Sequence, residues 1–145
     1  MQLTRQADYG ARTVLYLSTT QMASTAEIAS AQSIPREYLF KIIQLLARSG
    51  IISTHRGAWG GVSLARSPEE ITLLDVFEAI EGPLAINRCL VKQGDCPREA
   101  YCSIHDELFR VQASLRRALA ETNFARLAHQ EQANRETKGT AKAAI

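Results

Sequence analysis

Few folds accommodate the stretch STAEIASAQSIPREYLFKIIQLLARSG, residues 24–50. Ser24 followed three positions later by Glu27 has the residue types of a capping box, in which a hydroxyl and a carboxylate each accept a backbone N–H that an opening helix leaves unbonded. A short helix from Thr25 to about Ala31 is therefore expected. Gln32 to Ile34 leave room for a tight turn, and Pro35, with its fixed φ and missing N–H, suits the first position of a second helix. Leu39, Ile42, Ile43 and Leu46 then recur at i, i+3, i+4 and i+7, a stripe that must be buried, and Gly50 ends the helix. Two short helices joined this way make a helix-turn-helix.

Burying that stripe turns Glu37, Lys41, Gln44 and Arg48 outward, with Arg36 and Tyr38 at the amino end. A surface helix of mixed charge would look the same, but the first turns of a recognition helix are what reach base edges in the major groove. Arg36, Glu37, Tyr38 and Lys41 are thus the candidate DNA contacts. The next segment, IISTHRGAWGGVSLARS, supports this reading: a β-branched run, a glycine turn and an alternating return strand form a hairpin, placed where a winged helix carries its wing. Arg56 is the candidate for a narrow minor groove, which attracts inserted arginine. His55 reads as a phosphate neighbour or an ordinary surface residue, and Trp59 is exposed at the tip with no core to enter. Charge agrees: residues 1–66 hold seven Lys/Arg against three acids, a net +4, while the rest of the chain is net −2. A polyanion would bind the first half, although +4 is also compatible with ordinary surface charge.

The fold expected is mainly α with a small β-hairpin wing: a winged helix-turn-helix followed by a long dimerisation helix. A first helix runs from about Thr4 to Ser18, with Ala7, Ala11, Val14 and Leu15 inward and Asp8 off that face, one turn before Arg12. Thr72 and Asp75 cap a helix that ends at Gly82-Pro83. Ile104, Leu108, Val111, Leu115 and Ala118 or Leu119 mark a long amphipathic helix from about Ser103 to Leu119. One small domain has little to cover such a face, so pairing with a second copy is expected, and a two-fold dimer matches palindromic DNA sites. Thr122 is expected to cap a last short helix ending near Ala128. The division is 1–83 for the DNA-binding domain, 84–104 for a cysteine-rich loop, 105–129 for the dimerisation and terminal helices, and 130–145 for a disordered tail.

All three cysteines, Cys89, Cys96 and Cys102, lie within CLVKQGDCPREAYCSIH, which ends at His105, one of three histidines. Gly94, Pro97 and several charged residues break helical and strand periods, so most of the segment is loop. Three thiols and an imidazole can close on one inorganic centre. A disulfide framework wants an even count and an oxidising compartment. Structural zinc accepts these residue types but usually comes with short Cys-x2-4-Cys pairs, which are missing. Inert thiols are a further alternative. Iron–sulfur ligation tolerates irregular spacing and is the reading preferred. The N-terminus, MQLTRQADYGAR, does not read as a secretory signal, and no apolar run approaches a membrane span, so a cytoplasmic protein with reduced thiols is expected. No acid–base or nucleophile constellation suggests an enzyme or a small-molecule substrate, and an iron–sulfur electron carrier is the weaker alternative for lack of such a site.

MQLTRQADYGAR, YLFKIIQLLARSGII, HRGAWGGVSL, ITLLDVFEAIEG and three cysteines before the long helix together resemble the IscR/NsrR/RirA superfamily of bacterial winged-helix regulators. The resemblance covers residues 1 to about 128. It implies a cytoplasmic homodimer that binds double-stranded operator DNA, usually as a repressor, and carries an iron–sulfur cluster sensing iron or cluster supply, nitric oxide or redox state. Cys89, Cys96 and Cys102 fall on the family's three cysteines. The fourth ligand is His105 by analogy with members that use a histidine three residues after the last cysteine. By analogy with certain nitric-oxide sensors it is Asp8 of the partner subunit. The cluster is accordingly 2Fe–2S or 4Fe–4S. Tyr38 and Lys41 fall in the family's DNA-contacting region and Arg56 on its wing arginine, whereas Trp59 stands where many members have small or polar residues.

Overall fold

A computed structural model describes residues 3–143. Helix α1, Arg5–Leu17, begins where the Thr4 side chain accepts the Ala7 N–H at 3.2 Å, and it buries Ala7, Gly10, Thr13, Val14 and Leu17 along one stripe. Helix α4, Leu73–Glu81, crosses it closely enough that a Cβ on Gly10 would lie 3.0 Å from Ile80 Cγ1. Glycine therefore sets the separation of these two helices.

Helix α2, Thr25–Gln32, carries both halves of the capping box: the Ser24 N–H donates to Glu27 Oε2 at 2.7 Å, and the Glu27 N–H donates to Ser24 Oγ at 3.2 Å. The Ser24 backbone bond, and then the Ser24 hydroxyl, holds the Glu27 carboxyl below its ordinary range. Ser33 turns the chain with a left-handed φ of 53°, and α3 follows over Arg36–Arg48. Pro35 is not the first helical residue, as its type suggests. Its extended ψ of 135° leaves it just outside, where its carbonyl accepts the Tyr38 and Leu39 N–H groups at 3.1 Å each.

Leu39, Ile42, Ile43 and Leu46 are buried as the spacing requires, and Gly50 leaves the helix with φ 68°. Strands β1, Ile52–His55, and β2, Gly61–Leu64, pair antiparallel from Ile52 opposite Leu64 to His55 opposite Gly61. Ala23 exchanges two backbone bonds with Val62, at 3.0 and 2.8 Å, which docks the hairpin on the segment entering α2.

Beyond α4 the chain passes through short turns to α5, Ser103–Ala120, and then to α6, Phe124–Ala143. Phe124 is fully buried in the hydrophobic core with Val14, Leu39 and Ile71, its N–H donating to the Ile71 carbonyl at 2.9 Å, while the Leu73 N–H donates to the Thr122 carbonyl at 3.0 Å. Asn123, rather than Thr122, caps α6 by accepting the Arg126 N–H at 2.9 Å; the Thr122 hydroxyl instead donates back to Ala118 O. The helix does not end near Ala128 but continues through the stretch expected to be a disordered tail, as far as Ala143. Good helix formers and one-turn pairs such as Arg135 with Glu131, at 2.6 Å, support it without an apolar period. Ala144 and Ile145, also placed in that tail, lie outside the described residues.

Candidate functional site

On α3, the four candidate contacts Arg36, Glu37, Tyr38 and Lys41 are all exposed, with Gln44 and Arg48 continuing the same face. Burial of Leu39, Ile42 and Leu46 at 0% exposure fixes the helix's rotation and leaves this face outward. Arg56 is exposed at the turn between β1 and β2, and His55 Nε2 lies 2.8 Å from Ser63 Oγ across the hairpin. The helix-turn-helix and the hairpin, packed on one core, thus present arginine, lysine and tyrosine groups, the residue types that bind phosphates and base edges.

The second region is a cavity of about 510 Å³ lined by Cys89, Cys96, Cys102 and His105 together with Asn87, Arg88, Asp95, Ile104 and Leu108. Four of the five residues expected to hold a metal centre therefore share one cavity. Short 3-10 turns over Arg88–Leu90 and Glu99–Tyr101 present Cys89 and precede Cys102, which stands immediately before α5, while His105 lies within the first turn of that helix. All three cysteines are free thiols and half-buried. His105 Nδ1 is buried with no hydrogen-bond partner, a deficit that a ligand atom at that nitrogen would remove.

Among the described residues, no three His, Cys, Asp or Glu side chains lie close enough to hold a single metal ion. Three thiols and an unpartnered imidazole on one open pocket are donors of the types that iron–sulfur ligation uses.

Asp8, the fifth candidate, is not at this cavity. It sits half-exposed on α1 and pairs with Arg12 at 2.8 Å. Arg12 is itself placed 5.7 Å from the Tyr9 ring centre and donates to the Gln32 carbonyl at 3.4 Å, and Tyr9 packs edge-on against Tyr38 with ring centres 6.2 Å apart. A chain of contacts thus leads from Asp8 to the turn of the helix-turn-helix and to the amino end of α3.

Several residues that position the cavity had not been singled out from sequence. Asp95 lines it and pairs with Arg88 at 3.1 Å and Lys92 at 3.8 Å. Glu99 Oε2 accepts the Gly94 N–H at 2.7 Å and closes the loop. Glu78 on α4 accepts the Leu84 N–H at 3.0 Å and pairs with Arg116 on α5, while Gln112 accepts the Ile86 N–H at 3.0 Å. These bonds tie the segment leading into the cysteines to both flanking helices. The Gln112–Ile86 and Glu78–Arg116 contacts join residues 26 and 38 positions apart, so no local pattern announces them.

Helix α5 buries none of its residues. Of the apolar face expected from the sequence, Ile104, Val111 and Leu115 are 68, 48 and 36% exposed and Leu108 and Leu119 are half-buried, while Phe109, outside that pattern, is 59% exposed. Among the described residues, no helix is long and apolar enough to cross a membrane.

Comparison with known proteins agrees with this architecture. An HTH-type transcriptional regulator of Mycobacterium tuberculosis is 34% identical over 132 residues, 88% of this chain and 81% of its own. The structure of CymR, the global cysteine regulator of B. subtilis, superposes with a TM-score of 0.73 at 22% identity, covering 90% of this chain and 98% of that one. That of T. potens IscR gives 0.69 at 23% identity, covering 92% and 88%; at such identities both likenesses bear on the fold alone. The matching family and the named relative are transcriptional regulators, not enzymes. The profile described as Rrf2, iron-dependent transcriptional regulator, matches residues 3–130, and the chain belongs to that family of winged-helix proteins.

Proposed function

We propose that this regulator binds operator DNA as a homodimer, usually repressing, and that an iron–sulfur cluster held by Cys89, Cys96 and Cys102 sets the strength of that binding. The observation that carries the reading is the shared cavity, in which three free thiols stand with a histidine whose buried Nδ1 has no partner. When bound, the cluster supplies a centre whose composition or oxidation state responds to iron supply, nitric oxide or redox conditions. The protein's own residues convert that state into geometry. His105 completes the ligand set from the same chain, or Asp8 of the partner subunit completes it across the dimer. In the second arrangement Asp8 would exchange its pairing with Arg12 for the cluster, and Arg12, which also touches Gln32 and Tyr9, would link that exchange to Tyr38 and α3. Two recognition helices matched to a palindromic site tolerate little relative movement, so a coupling of about 1–3 kcal/mol would alter occupancy roughly 5- to 150-fold. Arg36, Glu37, Tyr38 and Lys41 in the major groove and Arg56 in the minor groove supply the contacts. The open face of α5 is the dimer surface.

Anaerobic purification followed by iron and sulfide analysis and visible spectroscopy tests the cofactor. A brown protein with both elements is expected, and comparison of Asp8→Ala with His105→Ala identifies the fourth ligand by which one alters the spectrum. A colourless protein with stoichiometric zinc would instead assign the thiols a structural role.

A further inference from the structure

Trp59 has no role in anything described above, and its surroundings are unusual. The indole is 91% exposed at the tip of the wing, and among the described residues no ring contact or hydrogen bond holds it. The turn that carries it cannot readily fold back to bury it. Gly57 has φ +107°, a conformation strained for any residue with a Cβ, and accepts the Gly60 N–H at 3.0 Å. A Cβ on Gly60 would come within 2.3 Å of the His55 carbonyl oxygen, and one on Gly61 within 2.6 Å of the Ala23 carbonyl oxygen. Glycines therefore press the tip against its own base, and the Ala23–Val62 bonds fix that base to the helix-turn-helix. Along the wing turn Trp59 has no other large apolar residue beside it. Its neighbours along the turn are His55, Arg56, Gly57, Ala58 and Gly60, so it is a lone aromatic among small and basic residues.

We propose that Trp59 is a DNA-contacting residue, its indole presented by the glycine turn to pack into the minor groove on the same wing as Arg56. An aromatic side chain can lie against the sugars and base edges of a groove about 6 Å wide, and apolar wedges recur among minor-groove binders. The indole Nε1–H is a donor suited to the acceptors on adenine N3 and thymine O2 that line that groove. Arg56 contributes charge and Trp59 contributes apolar contact, so the two respond differently to salt. The proposal rests on DNA binding by the winged helix and not on the identity of the cofactor.

The chain's single tryptophan makes the test direct. A duplex recovered from a random library by in vitro selection on this protein is end-labelled, so that its anisotropy reports binding while tryptophan emission reports the wing tip. On saturation the emission should shift to the blue and acrylamide quenching should fall. Trp59→Ala should bind roughly 5- to 20-fold more weakly, with an unchanged slope of log affinity against log salt, and Trp59→Phe should recover most of the loss. Arg56→Ala should lower that slope by about one. Unchanged emission on a demonstrably bound duplex, with Trp59→Ala binding within twofold of the parent, overturns the proposal and leaves DNA binding intact. A blue shift that follows protein concentration without DNA assigns the indole to a protein contact and also overturns it. Failure of the parent protein to bind any duplex removes the DNA-binding reading and this role together.

Discussion

Leu39, Ile42 and Leu46 of α3 are completely buried in a helix of 13 residues, whereas α5, with 18, buries nothing. Both helices carry an apolar stripe, yet only one finds its cover within the chain. The first half closes around Val14, Leu17, Ile28, Leu39, Ile42, Leu46, Ile71 and Val76, and draws Phe124 in from beyond α5. The cysteine loop is held instead by polar bonds, Glu78 with Leu84 and Arg116, Gln112 with Ile86, and Glu99 with Gly94. A reading head that must keep its shape on DNA gains from a closed core. A sensing region that must respond to a small change gains from being completed by other parts, here a cofactor and a second copy in the reading proposed.

That contrast can be broken at either half. The largest effect is expected at the loop: Cys96→Ala should abolish the visible chromophore of anaerobic protein, and an unaltered spectrum would remove Cys96 from the ligand set. Next, Val111→Asp puts a charge on the face of α5 and should weaken self-association by 100-fold or more in sedimentation, since an unpaired charge buried at an interface costs about 3–5 kcal/mol; an unshifted association constant would place the dimer surface elsewhere. In the closed half, Leu39→Ala should lower the unfolding free energy by about 2–5 kcal/mol in a denaturant titration, the usual cost of emptying a packed site. Lys41→Ala should leave the chromophore intact while weakening operator binding roughly tenfold and lowering its salt slope by about one; unchanged affinity would mean that the reading face is misassigned. The smallest effect belongs to Glu27→Gln. Because the folded protein holds the Glu27 carboxyl below its ordinary value of 4.5, its ionised form contributes stability above that value, which disappears as pH falls through the lowered one. Parent and variant should therefore differ slightly at neutral pH in thermal unfolding and converge in acid.

The two halves also differed in how much of them could be read in advance, and the reason is physical. Ser24 with Glu27, the Leu39-to-Leu46 stripe and the glycine turn of the wing are all local signals, and each produced the element its residues imply. Pro35 was misplaced by one position because residue type marks a helix start only to within the cap. Phe124 escaped notice because its partner, Ile71, is remote in sequence, and Asn123 outcompeted Thr122 as the cap once the Thr122 hydroxyl bonded back to Ala118. The continuation of α6 past Ala128 rests on helix propensity and one-turn ion pairs, which leave no hydrophobic period to read. At the cavity, the clustering of Cys89, Cys96, Cys102 and His105 was legible, whereas the part of Asp95 was not, because a loop acid beside a cysteine looks like any solvated charge.

The central claim is that the state of the thiol-held centre controls the grip on DNA. It is tested most directly by titrating one labelled operator duplex with one anaerobic preparation, first as isolated and again after the cluster has been removed under the same salt and pH. The account predicts dissociation constants that differ by roughly 5- to 150-fold. Equal affinities in the two titrations would contradict it.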